Sequence, residues 1–454
     1  MSSPARRCAI THVRCACTGL LALGITTAVW PRQASETEYG PTPSLGAPEK
    51  SLLSTVHTAK AIGWPAGGRP TAAAGTQVTA LARDLDHPRW LYVLPNGDVL
   101  VAESDAPPKP DDAKGITGRV RKLVMKRAGS GTRPSADRIT LLRDTGGSAP
   151  ERHVFIEGLH SPIGMALVGE SFYVADSDAL LRFSYHTGDT EIRSQPIQVA
   201  SLPAGRINHH WTKSLIASPD GGKLYVGVGS NSNAAENGLA VEAERSSVWE
   251  IDPKTGDHRI FASGLRNPVG LAWEPESGAL WVAVNERDGL GDHLPPDYMT
   301  AVHEGAFYGW PFSYYGSHVD ARVQPQNPDT VAKAVSPDYA LGAHTASLGL
   351  CWSADAKMPA QFQHGMFVGQ HGSWNRKIRS GYKVVFVQFA GGEPTGPPID
   401  LLTGFLDSKG RALGRPVGVA IDKRGALLVA DDVGGAVWRV TGTGEGVAAA
   451  ANRR

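Results

Sequence analysis

Apolar residues along this chain fall in short runs, each opened by a Gly/Pro/His turn and followed by a hairpin and a second run. Such runs, bounded by Pro-Asp-Gly, Pro-Asn-Gly or Asp-Pro turns, predict paired β-strands. Stretches with helical apolar spacing are nearly absent. The unit appears first from His87-Pro88-Arg89-Trp90 through Pro95-Asn96-Gly97-Asp98 to Val99–Ala102. It returns from Ser161 to Ala175, from His210 through Pro219-Asp220-Gly221 to Val228, and from Arg266 to Val284. A looser fifth copy runs from His344 to Gln370, and a sixth from Arg415 through Asp422–Gly425 to Ala430.

Six paired-strand units at intervals of tens of residues predict an all-β fold, a six-bladed β-propeller over 77–442. A solenoid or sandwich would be the alternative, but a sandwich rarely needs six similar units. In a propeller the turns that open the innermost strands converge on a central channel, which is where an active site is expected.

Composition agrees with one large β domain: the 454 residues include 53 Gly and 32 Pro. Residues 32–76, rich in Pro, Ala, Gly and Ser, predict a flexible linker or arm, and 443–454 a disordered tail. At the N-terminus, Arg6, Arg7 and Arg14 precede the apolar run Cys17–Trp30. That run is short for a spanning helix, which needs about 20 residues. Segment 1–31 therefore reads as an export signal, with a short membrane anchor as the alternative, and a periplasmic or extracellular location follows. The net charge is +1, and without Arg6, Arg7 and Arg14 it is 42 bases against 44 acids, or −2. Nothing in that balance suits nucleic acid. Three of the four cysteines lie in segment 1–31, so Cys351 has no body partner for a disulfide.

The residues expected around the channel are His87, Arg89, Glu103, Ser161, His210, Arg266, Asn267, Asn285, Glu286, His344, Gln370, His371 and Arg415. Singly, each has a plain structural role: a His before a strand bonds its turn, an Arg before Pro caps carbonyls, and Asn285 and Glu286 form a turn. Recurrence of cations and imidazoles at one locus points instead to a polyanionic ligand, a metal, or both. The segment Gly264–Gly316 is the densest in such residues.

The runs GLRNPVGLAW, VNERDGLGD, FYGWPFSYYG, GAHTASLGL, VGQHGSWNR and GRPVGVAIDKRGALLVADD resemble the sorbosone dehydrogenase family. That family is a branch of the pyrroloquinoline quinone (PQQ)-dependent sugar dehydrogenases related to soluble glucose dehydrogenase. The resemblance extends from roughly His87 to Val440. It implies PQQ and Ca²⁺ in the channel and oxidation of a sugar aldehyde or aldose. It also implies an external electron acceptor, a cytochrome or the quinone pool.

By this resemblance Arg266 and Arg415, with Arg376 as a third, would bind the three carboxylates of PQQ, a role that suits a bidentate guanidinium. Asn267 and Asn285 would contact the cofactor. The Asn285–Arg287 turn would hold the metal through the carbonyls of Glu286 and Arg287 or the Glu286 side chain. His210 matches the family's general base, and His209 is set aside because neighbouring side chains on an extended segment point apart. Three departures stand out. Ser230 occupies the place of an Asp that orients the base in soluble glucose dehydrogenase, a cofactor-binding Lys has no counterpart, and Leu413 replaces one of two late arginines. Two other readings remain: a calcium-dependent lactonase or esterase built on Glu103, Asn285, Asp292 and Asp431, and a non-catalytic binding propeller.

Overall fold

The computed structural model describes residues 38–49, 55–108, 134–146 and 149–444. The predicted export segment 1–31 and most of the predicted tail, 445–454, lie outside them. Six antiparallel sheets follow one another in chain order, forming a six-bladed propeller. The predicted paired runs are the two inner strands of each blade. In blade 1 these are Pro88–Val93 and Val99–Glu103, and in blade 2 Gly164–Val168 and Ser171–Ala175. Blades 3 and 4 open with Lys213–Ala217 and Pro268–Trp273, blades 5 and 6 with Ser347–Trp352 and Pro416–Ile421. Blade 6 takes its outermost strand, Thr76–Ala82, from the other end of the chain, where Trp438 pairs with Ala80 and Val440 with Val78. That pairing closes the ring.

The recurring Pro-x-Gly of the inner strands has a packing reason. A Cβ on Gly270 would lie 2.6 Å from the Leu348 carbonyl of blade 5, and one on Gly418 2.8 Å from the Arg89 carbonyl of blade 1. The innermost strands of neighbouring blades therefore touch backbone to backbone, which only glycine permits. Outward from this ring the core is divided into wedges between adjacent blades, such as Leu100, Phe155, Phe172 and Tyr185 between blades 1 and 2. Val269, Leu348 and Val417, with Trp90 against them, form an apolar plug inside the ring. Their neighbours in sequence, Asn267, Ser347, Arg415 and Arg89, form a polar layer beside it.

Acidic side chains clip these turns together. Asp176 accepts the His160 N–H at 2.9 Å, Asp431 the Arg415 N–H at 2.7 Å, and Glu103 the Asp86 N–H. Each ties the end of a second strand to the turn that opens its blade.

The stretch expected as a flexible arm is docked over its described part. Tyr39–Gly40 adds a fifth strand to blade 4 and Thr71–Ala72 one to blade 5. Trp64 donates to Asp431 at 2.7 Å and meets Phe405 and Trp438 edge to face. Composition suggested flexibility because this stretch lacks apolar periodicity; a few well-spaced anchors hold it down.

Blade 4 carries an insertion, 302–338, and Arg287 fastens it. This fully buried guanidinium donates to the carbonyls of Pro311 (2.7 Å) and Ser313 (2.5 Å) and pairs with Glu286 and Asp320, both at 3.1 Å. Removing one member of a buried ion network strands the others and costs about 3–5 kcal/mol. Arg287→Met should therefore lower the denaturant midpoint markedly, as read by tryptophan fluorescence; an unchanged midpoint would show that the network contributes nothing.

Candidate cofactor and catalytic site

His210 sits in the bend before the innermost strand of blade 3. Its Nδ1 lies 2.9 Å from both the carbonyl and the Oγ of Ser230. The Ser230 hydroxyl is itself spent as a donor, reaching the Ser232 carbonyl at 2.6 Å. Both Ser230 oxygens are therefore acceptors, so Nδ1 must carry the proton. Nε2 keeps its lone pair, the state a general base needs. Burial, with the charge of Arg266 and the adjacent His209, pushes the His210 pKa well below 6.5, against the opposing Ser230 carbonyl. The place left by the missing Asp is thus filled by a neutral clamp that sets the tautomer and favours the imidazolium less than a carboxylate would.

One expectation fails here. The chain bends at His209 and His210 rather than running extended, and the two rings meet edge to face at 4.7 Å. What distinguishes His210 is the Ser230 clamp. Gly229 makes room for it, since a Cβ there would strike His210 and Asn267.

Arg266, from the turn into blade 4, is buried. Its Nη1 donates to the carbonyls of Asn285 (3.2 Å) and Glu286 (2.7 Å), and its Nε and Nη2 reach Asn233. The turn expected to offer oxygens to a metal is therefore capped by this guanidinium. The Asn267 Oδ1 is buried and unpartnered, while the Asn285 side chain donates to the Ser347 carbonyl. The Glu286 carboxylate faces away, taking the N–H and Nε of Arg287 at 3.0 and 3.1 Å.

Across the ring, blades 5, 6 and 1 build a second cationic cluster. Arg415 lies over the Tyr382 ring and donates to its hydroxyl at 3.1 Å. Its Nη1 is 3.4 Å from His371 Nδ1, and its buried Nε is unpartnered. Asp432 accepts from Arg89 at 2.7 Å and lies 2.9 Å from His371 Nε2. Burial, together with Arg415 and Arg89, holds His371 at about 4 despite Asp432, so the imidazole is neutral at pH 7. Arg89 also approaches the Trp211 ring of blade 3 at 5.7 Å, linking the cluster to the His210 bend. Of the two guanidinium groups only Arg89 pairs with the carboxylate, while Arg415 meets it through His371, leaving a positive surplus with unpartnered Nε atoms on both arginines and Oδ1 on Asp432.

Arg376 is engaged elsewhere: it holds Glu38 of the docked arm at 3.0 and 3.1 Å. The four residues of the hydrolase alternative are not brought together. Glu103 binds Arg138 and Thr140, Asp431 binds Trp64 and Trp438, Asp292 binds Thr55, and Asn285 binds Ser347. Among the described residues no three His, Cys, Asp or Glu side chains form a metal cage. Asp432 and Tyr382 were missed from the sequence. Asp432 follows the second strand of its blade as Asn285 does, a usable signal; Tyr382 had none.

A family model described as TrAA12-like matches residues 70–305 and 315–443. The chain belongs to the TrAA12-like family. This TrAA12-like chain is 37% identical to a pyrroloquinoline quinone-dependent pyranose dehydrogenase of Coprinopsis cinerea over 294 residues, 51% of this chain and 39% of the relative. It is 30% identical to the aldose sugar dehydrogenase YliI of Escherichia coli over 111 residues, 24% of this chain and 28% of the relative. An uncharacterized protein of Borreliella burgdorferi is 30% identical over 244 residues, 53% of this chain and 63% of the relative. The chain thus spans less than two thirds of the length of these curated relatives. Among solved structures, the calcium form of a Trichoderma reesei AA12 enzyme superposes with a TM-score of 0.65 at 18% identity, covering 87% of this chain and 100% of that one. The PQQ domain of the Coprinopsis enzyme in its holo form gives 0.63 at 21% identity, covering 82% and 97%. The fold shared with these TrAA12-like and PQQ-dependent sugar dehydrogenase propellers is the six-bladed one described above.

The Ser230 clamp makes a measurable claim. Nitrogen NMR of the His210 ring should show the Nδ1–H tautomer at pH 7 and a titration midpoint below 6.5. Ser230→Asp should raise that midpoint, because a carboxylate stabilises the imidazolium. A wild-type midpoint at or above 6.5 would contradict the lowering by burial and Arg266, and an Nε2–H tautomer would contradict the assigned hydrogen bonds.

Proposed function

We propose that this protein is an exported PQQ-dependent dehydrogenase that oxidises a sugar aldehyde or aldose, sorbosone-like in class. Electrons then pass to an external acceptor such as a cytochrome or the quinone pool. One observation carries the reading: a tautomer-fixed neutral histidine, His210, shares the channel rim with buried arginines that outnumber their carboxylate partners. A hydrolase has no use for those cations, whereas a tricarboxylate has.

The residues present fit PQQ, and they fit a hard cation once Arg266 leaves the carbonyls of Asn285 and Glu286. The unpartnered Nε atoms of Arg415 and Arg89 and the Asn267 Oδ1 are buried polar atoms awaiting partners. Arg415, Arg266 and Arg89 would hold the carboxylates, with His371 standing where the missing Lys would be. Asn267 and Asn285 would contact the ring system. The Asn285–Arg287 turn offers carbonyl oxygens suited to Ca²⁺, and Arg266 must release those it now caps. When bound, PQQ would supply the ortho-quinone that accepts hydride, and Ca²⁺ would polarise its carbonyl.

His210 Nε2 takes the proton of the substrate hydroxyl. Because its pKa is depressed, the ring is neutral and competent above that value and fails only as pH falls through it. The acid limb of kcat/KM is therefore expected below pH 6.5. The Val269, Leu348 and Val417 plug keeps the adjoining part of the channel apolar and strengthens the electrostatics beside it.

Purified protein reconstituted with PQQ and Ca²⁺ should show quinone absorbance and reduce a dye with a sugar aldehyde or aldose. His210→Ala should keep PQQ but lose about 10²–10⁴ in kcat. Arg415→Met should weaken PQQ binding by roughly ten- to a hundred-fold, as for a lost charged hydrogen bond. Absence of both absorbance and dye reduction across an aldose and aldehyde panel would refute the proposal. Activity surviving His210→Ala but not His209→Ala would move the base by one residue.

A further inference from the structure

A pocket of about 330 Å³ opens beside Arg266 and is not used by the chemistry above. That volume lies at the lower end of the ~300–1,000 Å³ typical of small-ligand sites. One wall is the stretch after the second strand of blade 3, and the other is the blade 4 insertion around Arg322 and Gln324. Asn233 joins pocket to site: it lines the pocket, and its carbonyl and Oδ1 receive Arg266 Nε at 3.1 Å and Nη2 at 2.9 Å.

The lining is built in advance of any ligand. Glu236 is fixed by the backbone N–H groups of Asn233 (2.9 Å) and Ala234 (2.6 Å). Arg322 is held bidentately by Asp320 at 2.8 and 2.7 Å and reaches the Asp288 carbonyl at 2.9 Å. Asp320 offsets the Arg322 guanidinium and Arg266 acts on Glu236, so the charges of the lining are met within the protein and select neither anion nor cation. Glu236, Arg322 and Gln324 are planar groups that bridge paired hydroxyls. Ala234 and Leu239 supply apolar surface between them, and none of the lining residues is aromatic. A neutral ring with a hydroxylated edge and a C–H face matches this mixture better than a flat quinone or a charged group.

We propose that this pocket is a distal sugar subsite, binding the second ring of a neutral disaccharide or longer oligosaccharide whose reducing-end ring reacts at His210. The inference rests on the reading that a sugar is oxidised in the channel. It makes chain length, and not only the reacting carbon, a determinant of specificity.

The test compares glucose, maltose and cellobiose with the PQQ- and Ca²⁺-loaded protein, in wild type, Gln324→Ala and the pocket-filling Ala234→Trp. At least one disaccharide should show a lower KM than glucose. Gln324→Ala should raise that KM about three- to ten-fold, as for a lost neutral hydrogen bond, and Ala234→Trp should raise it further. Glucose kinetics should be unchanged in both variants. Equal effects on all three sugars, or none on any, would overturn the subsite. Calorimetric titration of maltose and cellobiose separates the two readings. Disaccharide binding abolished by Ala234→Trp, without turnover of any sugar, keeps the subsite and sinks the oxidation. Glucose oxidation with no disaccharide binding does the reverse.

Discussion

Everything in this molecule depends on how closely the innermost strands approach around the ring. Where Gly270 meets the Leu348 carbonyl and Gly418 meets the Arg89 carbonyl, no side chain separates the two backbones. Turns far apart in sequence are consequently brought together around the ring. A β-carbon at these positions would force blades apart and widen the site as well as loosen the core. Closure by Thr76–Ala82 fixes the circumference, so the spacing of the channel residues is set by the whole ring.

Around the ring the charges are sorted by the work their partners leave them. Arg287 and Arg376 are saturated, one by the blade 4 insertion and the other by the docked arm. Arg89 and Arg415 are not: each leaves its Nε unpartnered, and of the two it is Arg89 that pairs with a carboxylate, Asp432. Arg266 lies between these cases, bonded to carbonyls and the Asn233 amide with the Asp288 carboxylate more distant at 3.9 Å. Buried guanidinium groups stay charged at any physiological pH, so the surplus is a standing field. That field helps keep His210 and His371 neutral. Cation surplus and neutral base are two consequences of one arrangement.

Much of the fold was legible because its signals are local. Paired apolar runs, Pro-Asp-Gly hairpins and the repeated Pro-x-Gly opening mark five of the six blades clearly, and the loose fifth copy still had strand periodicity. The arm was misread because two two-residue strand pairings, the contacts of Trp64 and an ion pair decide its docking, and such sparse anchors leave no periodic trace. Among the site residues, His210, Arg266 and Arg415 could be named from their positions before inner strands. Arg376 occupies a similar-looking loop, yet its direction depends on Glu38, more than three hundred positions away. No local pattern encodes that pairing.

The sequence by itself determined the repeat, the strand pairs and the set of polar residues delivered to one end of the channel, because strand periodicity and turn chemistry act over a few residues. Tertiary structure decided which of those residues are free. Whether an arginine binds a ligand or a neighbour, and which nitrogen of His210 carries the proton, depends on hydrogen bonds closed across blades. Those partners are assigned only when the ring shuts.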